Sequence, residues 1–175
     1  MSDYIHNFIY TNNRYSIGDG HDADHHWEVV KIFHQMLEIE DLTQDEIDFC
    51  EKLISVHDMV DYKYPELIEK NIDFVKEFVG QDGLYIVQNI SYSKKDRPYD
   101  GPFKKLRDLV MLADWIAGLN LQRCIDYSKN NRQRVITTYY NRILPIINFI
   151  PKKYEYIYKP LYNKVVSDFE QYSKM

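Results

Sequence analysis

Residues 43–58 read TQDEIDFCEKLISVHD, and this stretch predicts one complete helix. Thr43 and Glu46 have the spacing of a capping box, in which a hydroxyl and a carboxylate bind the free amide groups at the start of a helix. The apolar residues that follow are three or four positions apart and share one face: Ile47, Cys50 and Ile54. His57 continues that face, so we expect a helix that begins near Thr43 and directs His57 towards the core.

Apolar periodicity predicts further helices on both sides of this stretch. We expect them at about 22–40, from Pro65 to a stop at Gly80, at about 84–92, from Pro102 onward and, with a break near Pro151, at about 120–172. Pro145 and Pro160 are further candidates for interruption. Residues 1–20 lack steady periodicity, and residues 93–102 contain two prolines and a glycine, which is typical of an exposed loop. No stretch alternates as a strand does, so the predicted fold class is all-α, a single bundle of about six to eight helices.

The composition is that of one intracellular domain. The chain has 175 residues, of which 45% are hydrophobic, enough for one core, and its formal net charge is −5. That balance argues against broad nonspecific nucleic-acid binding, which needs a basic face to displace counterions from phosphates. Only two cysteines are present, which excludes a disulfide framework and fits a reducing compartment. With no signal peptide and no apolar run of the roughly 18 residues that a membrane span needs, we expect a cytoplasmic protein that binds no membrane.

Histidine is confined to one third of the chain. All six histidines lie within the first 57 residues, three of them in His21-Asp22-Ala23-Asp24-His25-His26 and one in the pair His57-Asp58. Neighbouring residues of a continuous helix diverge by about 100°, so His57 and Asp58 reach one point only if the helix ends there. An aspartate in the last helical turn opposes the helix dipole at a cost of about 0.3–1 kcal/mol, which a nearby cation removes. A metal at this helix end is therefore an attractive interpretation.

These residues resemble the HD-domain metal-dependent phosphohydrolases, and most of all the small stand-alone HD nucleotide pyrophosphohydrolases. The segments that carry the resemblance are HDADHHWEVV at 21–30, HDMVDYK at 57–63, IVQNISYSKK at 86–95 and LADWIAGL at 112–119. The resemblance covers about residues 21–140 of an expected single domain of residues 1–175, with a helical extension at 141–175. Where the nearest family members have an acid before the last aspartate and a basic residue after it, this chain has Leu112 and Trp115. That departure weakens any inference about substrate preference.

The resemblance implies a ligand set for one divalent metal ion: His25, His57, Asp58 and Asp114. His26 stands before Val30 at the same spacing as His25 before Val29, and the preceding His21-Asp22 favours His25. His21 and His26 then either support the ligands or are solvated. Two imidazoles and two carboxylates suit Mn²⁺ or Fe²⁺ best, and Mg²⁺ or Co²⁺ next, rather than the zinc of a sulfur-rich site.

Two further candidate site residues follow the pair His57-Asp58 in the sequence. The family places a proton-handling carboxylate at the position of Asp61, which implies a general base or a residue that positions water; alternatively, Asp61 simply ends the helix. Lys63 is a candidate to neutralise charge on a transferring phosphate.

A phosphorylated substrate also needs positive surface on a protein of negative net charge. The first candidate is the basic run between residues 94 and 107, and its members are Lys94, Lys95, Arg97, Lys104, Lys105 and Arg107. Arg123 is the second candidate. Read alone, such a run is typical of a solvated loop. The tyrosines at helical spacing in the last third of the chain are interpreted as packing residues.

Together these features predict a metal-dependent phosphohydrolase of nucleotides, with (deoxy)nucleoside triphosphates as the first expected substrates and metal-activated water attacking phosphorus. The expected partner is this small-molecule nucleotide and not a nucleic acid. The sequence is also compatible with a homo-oligomer. Which phosphate bond breaks is also open, from release of pyrophosphate or triphosphate to hydrolysis of a monophosphate. The alternatives are a hydrolase of a signalling nucleotide, such as a guanosine tetraphosphate or a cyclic dinucleotide, and a non-catalytic metal- or nucleotide-binding sensor module.

Overall fold

The computed structural model describes residues 3–12, 22–60, 65–91 and 98–174, and every regular element in these ranges is helical. The α-helices are α1 (Asp3–Thr11), α2 (Ala23–Met36), α3 (Gln44–Val56), α4 (Pro65–Val87), α5 (Lys104–Ala117), α6 (Leu121–Tyr127), α7 (Arg132–Thr138), α8 (Leu144–Ile146) and α9 (Glu155–Lys174). A 3-10 turn at His57–Val60 follows α3, and a π-helical turn at Tyr139–Ile143 joins α7 to α8 in one continuous run. With that run counted once, the described ranges hold eight helices, which confirms the predicted all-α bundle. None of the helices in these ranges is long and apolar enough to cross a membrane.

The helix predicted from residues 43–58 is α3. Thr43 is its N-cap: the Glu46 amide donates to the Thr43 hydroxyl at 3.3 Å, and the Thr43 amide donates to the Glu46 carboxylate at 2.8 Å. Cys50 on its inner face is fully buried. The α-helix ends at Val56 and the chain tightens into the 3-10 turn at His57, so the predicted helix end is confirmed.

The core lies between α2, α3 and α5. α2 packs against both α3 and α5, and the 3-10 turn after α3 packs against α4. The side chains of this core include fully buried apolar residues from all three helices: Val29, Val30, Phe33, Leu53, Ile54, Val110 and Ile116. Burial of a large apolar side chain contributes about 1.5–3 kcal/mol, so this packing holds the three helices in fixed positions. It brings the first turn of α2, the end of α3 and the last turn of α5 together.

α1 lies within residues 1–20, for which the lack of steady periodicity predicted no helix. Ile5 and Ile9 are buried on one face of α1, and the ring of Phe8 stacks on Phe78 of α4 at 4.5 Å. An isolated helix of nine residues is marginal in water, so α1 depends on these tertiary contacts. Its apolar stripe is too short for local periodicity to reveal it.

Gly80 interrupts α4, as predicted. Its φ of 76° lies in the left-handed region that favours glycine. The helix resumes directly after Gly80 and ends at Val87, however, so the short helix expected at about 84–92 lies further towards the N-terminus.

The prolines differ in their effect on the helices. α5 begins two residues after Pro102, because Phe103 adopts a left-handed conformation with φ 50°. Pro151 separates α8 from α9, as predicted, whereas Pro160 lies inside α9 without ending it. Pro145 lies in α8, two residues after the end of the π-helical turn Tyr139–Ile143. Since proline has no amide hydrogen for the α-helical hydrogen bond, an irregularity at that point is expected.

Candidate metal centre

The four predicted metal ligands meet at the ends of three helical elements. His25 lies in the first turn of α2, His57 and Asp58 begin the 3-10 turn after α3, and Asp114 lies in the last turn of α5. All four are buried, with exposed fractions between 4% and 8%. We call these four residues the His-Asp cluster.

The donor atoms of the His-Asp cluster are close together. His25 Nε2 is 3.1 Å from Asp114 Oδ1 and 3.9 Å from Asp58 Oδ2. His57 Nε2 is 3.4 Å from Asp58 Oδ2 and 3.6 Å from Asp114 Oδ1. One ligand atom from each of His25, His57 and Asp58 lies within 4.8 Å of the others, so this buried group could hold a metal ion.

Local hydrogen bonds hold the backbone on both sides of the cluster. The Asp22 carboxylate caps α2 and accepts a hydrogen bond from the His25 amide at 3.0 Å. On the opposite side, the buried Asn71 of α4 donates its side-chain amide to the Met59 carbonyl at 3.0 Å. Met59 belongs to the 3-10 turn that carries two of the ligands, so α4 braces that turn.

The ring of His57 is oriented by its other nitrogen. His57 Nδ1 lies 2.7 Å from the Ile54 carbonyl, and a carbonyl only accepts, so the proton of the neutral ring is on Nδ1. Among the described residues, none makes a well-aligned hydrogen bond to the buried Nε2. A histidine that donates one N–H to a backbone carbonyl and presents the other nitrogen to carboxylates has the usual arrangement of a metal ligand.

In the metal-free protein, the pKa values of the two histidines of the cluster are shifted in opposite directions. Burial lowers the pKa of His57, but the adjacent carboxylates of Asp58 and Asp114 outweigh it and raise the pKa to about 9. Burial, assisted by the charge of Arg123, holds the pKa of His25 well below its usual range. At neutral pH His57 is therefore protonated and His25 is not.

Asp114 is ionised in this environment. Burial alone would raise its pKa, but the hydrogen bond with His25 and the positive charges of His57 and Arg123 hold the pKa well below its usual range. An ionised, buried carboxylate in contact with imidazole nitrogens is the form in which aspartate binds a cation.

His26 supports the cluster and is not solvated. It is completely buried, and its Nε2 lies 3.4 Å from Asp58 Oδ2. Its ring also packs edge-on against the ring of His57, with the centroids 4.6 Å apart. His21, which was also expected either to support the ligands or to be solvated, lies outside the described residues.

Arg123, the predicted substrate-binding residue, reaches the cluster. Its Nη1 is 3.8 Å from Asp114 Oδ1, and only 15% of its side chain is exposed. Gly118 lies beside Arg123, since a Cβ at that position would be in ordinary van der Waals contact with Arg123 Nη1 at 3.5 Å. Arg123 therefore places a buried cation beside one ligand of the cluster.

A cleft of about 420 Å³ opens beside His25 and Arg123. Its other lining residues are Asp22, Asp24, Glu28, Ala117, Leu119, Asn120, Gln122, Asp126 and Leu161. Several of the carboxylates are held by internal partners: Asp24 accepts from the Tyr10 hydroxyl at 2.8 Å, and Asp126 accepts from the Gln122 amide at 2.9 Å. We call this space the acidic cleft, and its carboxylates were not anticipated from the sequence.

Five predicted site residues lie outside the described residues: Asp61, Lys63, Lys94, Lys95 and Arg97. The rest of the basic run is described, and its side chains make local contacts. Lys104 pairs with Asp108 at 2.5 Å, Lys105 donates to the Asp41 carbonyl at 2.9 Å, and Arg107 donates to the Asn89 carbonyl at 2.7 Å. None of these three basic residues lines the acidic cleft.

Asn71 was missed by the sequence analysis although a signal for it exists. Leu67, Asn71 and Val75 are four residues apart on α4, and all three are buried. A polar residue in the middle of an apolar stripe needs a hydrogen-bond partner, which here is the turn that carries the ligands.

Comparisons of the chain with protein-family models, with curated proteins and with solved structures found no match.

Proposed function

We propose that the protein is a metal-dependent phosphohydrolase of nucleotides, in which His25, His57, Asp58 and Asp114 hold one divalent cation. The observation that carries this proposal is the convergence of two imidazoles and two carboxylates from three helical elements in a buried cluster. Burying such groups costs free energy unless they are paired or bind a ligand. They are also the residues that the resemblance to HD-domain phosphohydrolases implies.

The separations of the donor atoms fit a single ion. Two oxygen or nitrogen donors that bind one ion at about 2.1 Å from adjacent octahedral positions are about 3 Å apart, and opposite donors are about 4 Å apart. The measured separations between histidine nitrogens and carboxylate oxygens run from 3.1 to 3.9 Å. The mixed nitrogen and oxygen donor set favours Mn²⁺ or Fe²⁺, with Mg²⁺ and Co²⁺ as further candidates.

Different residues of the chain have different roles in the proposed hydrolysis. A divalent cation supplies Lewis acidity towards a phosphoryl oxygen and lowers the pKa of water. The hydrogen bond from His57 Nδ1 to the Ile54 carbonyl keeps Nε2 directed at the cluster. Arg123 supplies positive charge beside Asp114, where charge develops on a transferring phosphoryl group. Asp61 and Lys63 keep their proposed roles in proton handling and charge neutralisation.

The acidic cleft suits the nucleoside part of the substrate. Its volume of about 420 Å³ is within the range of small-molecule sites. Carboxylates accept hydrogen bonds, so Asp24 and Glu28 are matched to the hydroxyl groups of a sugar and the amino groups of a nucleobase. The same carboxylates repel phosphate, which directs the phosphate chain of the substrate towards the side of the cleft that Arg123 lines.

The test combines metal analysis with a substrate panel. Protein stripped with a chelator and reloaded with Mn²⁺ is incubated with nucleoside tri- and monophosphates, guanosine tetraphosphate and a cyclic dinucleotide, and products are separated by chromatography. We expect one bound ion per chain and turnover of a triphosphate that Asp58→Asn abolishes. Asp48→Asn, an exposed aspartate of α3, is the matched control and should leave turnover unchanged. Turnover that survives Asp58→Asn would overturn the proposal.

A non-catalytic metal- or nucleotide-binding module is the second candidate. Leu112 and Trp115, which replace an acid and a basic residue of the resembling family, are both buried in the core. The chain therefore lacks the two charged groups that the nearest family members have at these positions. One bound ion per chain with no turnover on any member of the panel would favour this candidate.

A further inference from the structure

Arg142 is a second arginine that lines a cleft with Arg123, and it comes from a different element. It lies in the π-helical turn Tyr139–Ile143, whereas Arg123 lies in α6. Both line one small cleft, together with Gly118, Cys124, Tyr127 and Ile143. π-helical turns inside α-helices occur frequently at functional sites. We call this space the arginine cleft.

Arg142 acts electrostatically on Arg123: burial lowers the pKa of Arg123, Asp114 and Asp58 raise it, and the positive charge of Arg142 lowers it. Arg142 is held over the ring of Tyr127, with the guanidinium carbon 5.8 Å from the ring centroid. Contact with a ring positions a guanidinium without removing its charge. Two guanidinium groups that line one partly enclosed cleft create a positive potential there, which attracts an anion.

The arginine cleft is adjacent to the His-Asp cluster. Arg123 lines both this cleft and the acidic cleft, and its Nη1 is 3.8 Å from Asp114 Oδ1. The arginine cleft measures about 30 Å³, so it admits phosphoryl oxygens and excludes a nucleobase. Guanidinium groups bind phosphate oxygens through paired, charge-assisted hydrogen bonds.

We propose that Arg142 and Arg123 form an anion subsite that binds a phosphate of the substrate other than the one at the His-Asp cluster. The inference deepens the proposed function, on which its role in turnover rests. It assigns the substrate to molecules with at least two consecutive phosphates, because Arg123 lines the arginine cleft and also lies beside Asp114 of the cluster. A nucleoside monophosphate would leave the subsite without a ligand.

The binding test uses inorganic pyrophosphate as the probe, on full-length protein freed of metal with a chelator, and isothermal titration calorimetry as the measurement. We expect wild type to bind pyrophosphate, Arg142→Gln to weaken binding at least tenfold, and Arg142→Lys to weaken it less. Arg134→Gln, an exposed arginine of α7, is the matched control and should bind as wild type does. Circular dichroism establishes that each variant is folded.

Failure of the subsite and failure of the proposed function give different results. Asp58→Asn removes a metal ligand and should keep pyrophosphate binding in the metal-free protein, whether or not the protein is an enzyme. Equal pyrophosphate affinity in wild type and Arg142→Gln, or no binding by wild type, would overturn the subsite. In an active protein, Arg142→Gln should raise KM for a triphosphate more than KM for a monophosphate; equal effects on both would also contradict the inference.

Discussion

Arg123 Nη1 and His25 Nε2 both face the same oxygen of Asp114, at 3.8 Å and 3.1 Å. A buried cation and a neutral imidazole thus share one carboxylate oxygen, which keeps Asp114 ionised. Burial and the charge of Arg123 keep the pKa of His25 low, although contact with Asp114 raises it. This relationship links the proposed metal ligands to the proposed phosphate-binding arginine. Its consequences differ for metal binding and for substrate binding, so the two can be separated experimentally.

Replacement of Arg123 should impair substrate binding and leave the metal in place. A hydrogen bond to a charged group contributes about 1.5–3 kcal/mol, so Arg123→Gln should lower kcat/KM for the nucleotide roughly ten- to hundredfold. Steady-state kinetics and metal analysis of the same preparation measure the two effects. Loss of bound metal in Arg123→Gln with kcat/KM per bound ion unchanged would contradict the assignment of this arginine to substrate.

Metal affinity should increase with pH up to about 9. His57 is protonated below its pKa of about 9 in the metal-free protein, and a ligand histidine must lose that proton to bind a cation. Between pH 6.5 and 9 the apparent Kd should therefore fall by up to about tenfold per pH unit, with about one proton released per ion. Titration calorimetry in buffers of different ionisation enthalpy measures both quantities. A metal affinity that does not change with pH between 6.5 and 9 would show that metal binding does not displace a proton from His57.

The free energy of unfolding of the metal-free protein should decrease with pH over the range in which metal affinity increases. The pKa of His57 is raised in the folded state, so the folded protein binds more protons than the unfolded chain between pH 6.5 and about 9. The contribution of His57 is fully present below pH 6.5 and is lost as the pH rises through 9. Urea unfolding in the presence of a chelator should show this decline, and Asp58→Asn should reduce it because Asp58 is the largest cause of the raised pKa. An equal decline in both proteins would mean that another group titrates there.

Asn71 should affect the metal through the 3-10 turn. Asn71→Ala removes the hydrogen bond to the Met59 carbonyl and leaves a buried acceptor without this donor, at a cost of about 1–3 kcal/mol in unfolding free energy. Mutation of a residue that supports a metal ligand typically lowers metal affinity by about 10- to 100-fold, and we expect Asn71→Ala to lower it by that amount. Asn89→Ala removes a comparable bond to the Tyr85 carbonyl at 2.7 Å on the exposed side of α4, and serves as the control. If both variants bind metal as wild type does, Asn71 has only a structural role.

Local signals account for the parts of the fold and site that the sequence predicted. The capping box at Thr43, the apolar stripe of α3 and the helix end at His57 each depend on residues within a few positions of one another. The convergence of His25 with Asp114, 89 residues apart, came instead from the resemblance to a family. Tertiary packing of α2 on α5 brings these two residues together, and no local pattern encodes that packing.

The features that were missed depend on contacts between distant segments. α1 is too short to be recognised without the packing of Phe8 on Phe78. Arg142 has no local motif, and its pairing with Arg123 requires the π-helical turn and α6 to meet at one cleft. The carboxylates of the acidic cleft likewise come from α2 and α6, which are far apart in the chain.

The central claim is that His25, His57, Asp58 and Asp114 bind one divalent cation. The most direct test is a crystal structure of the Mn²⁺-loaded protein with anomalous data collected at the manganese edge. A single anomalous peak about 2.0–2.3 Å from ligand atoms of all four residues is the predicted result. A manganese peak elsewhere in the molecule, or none within reach of His57 and Asp58 at saturating Mn²⁺, would contradict the account.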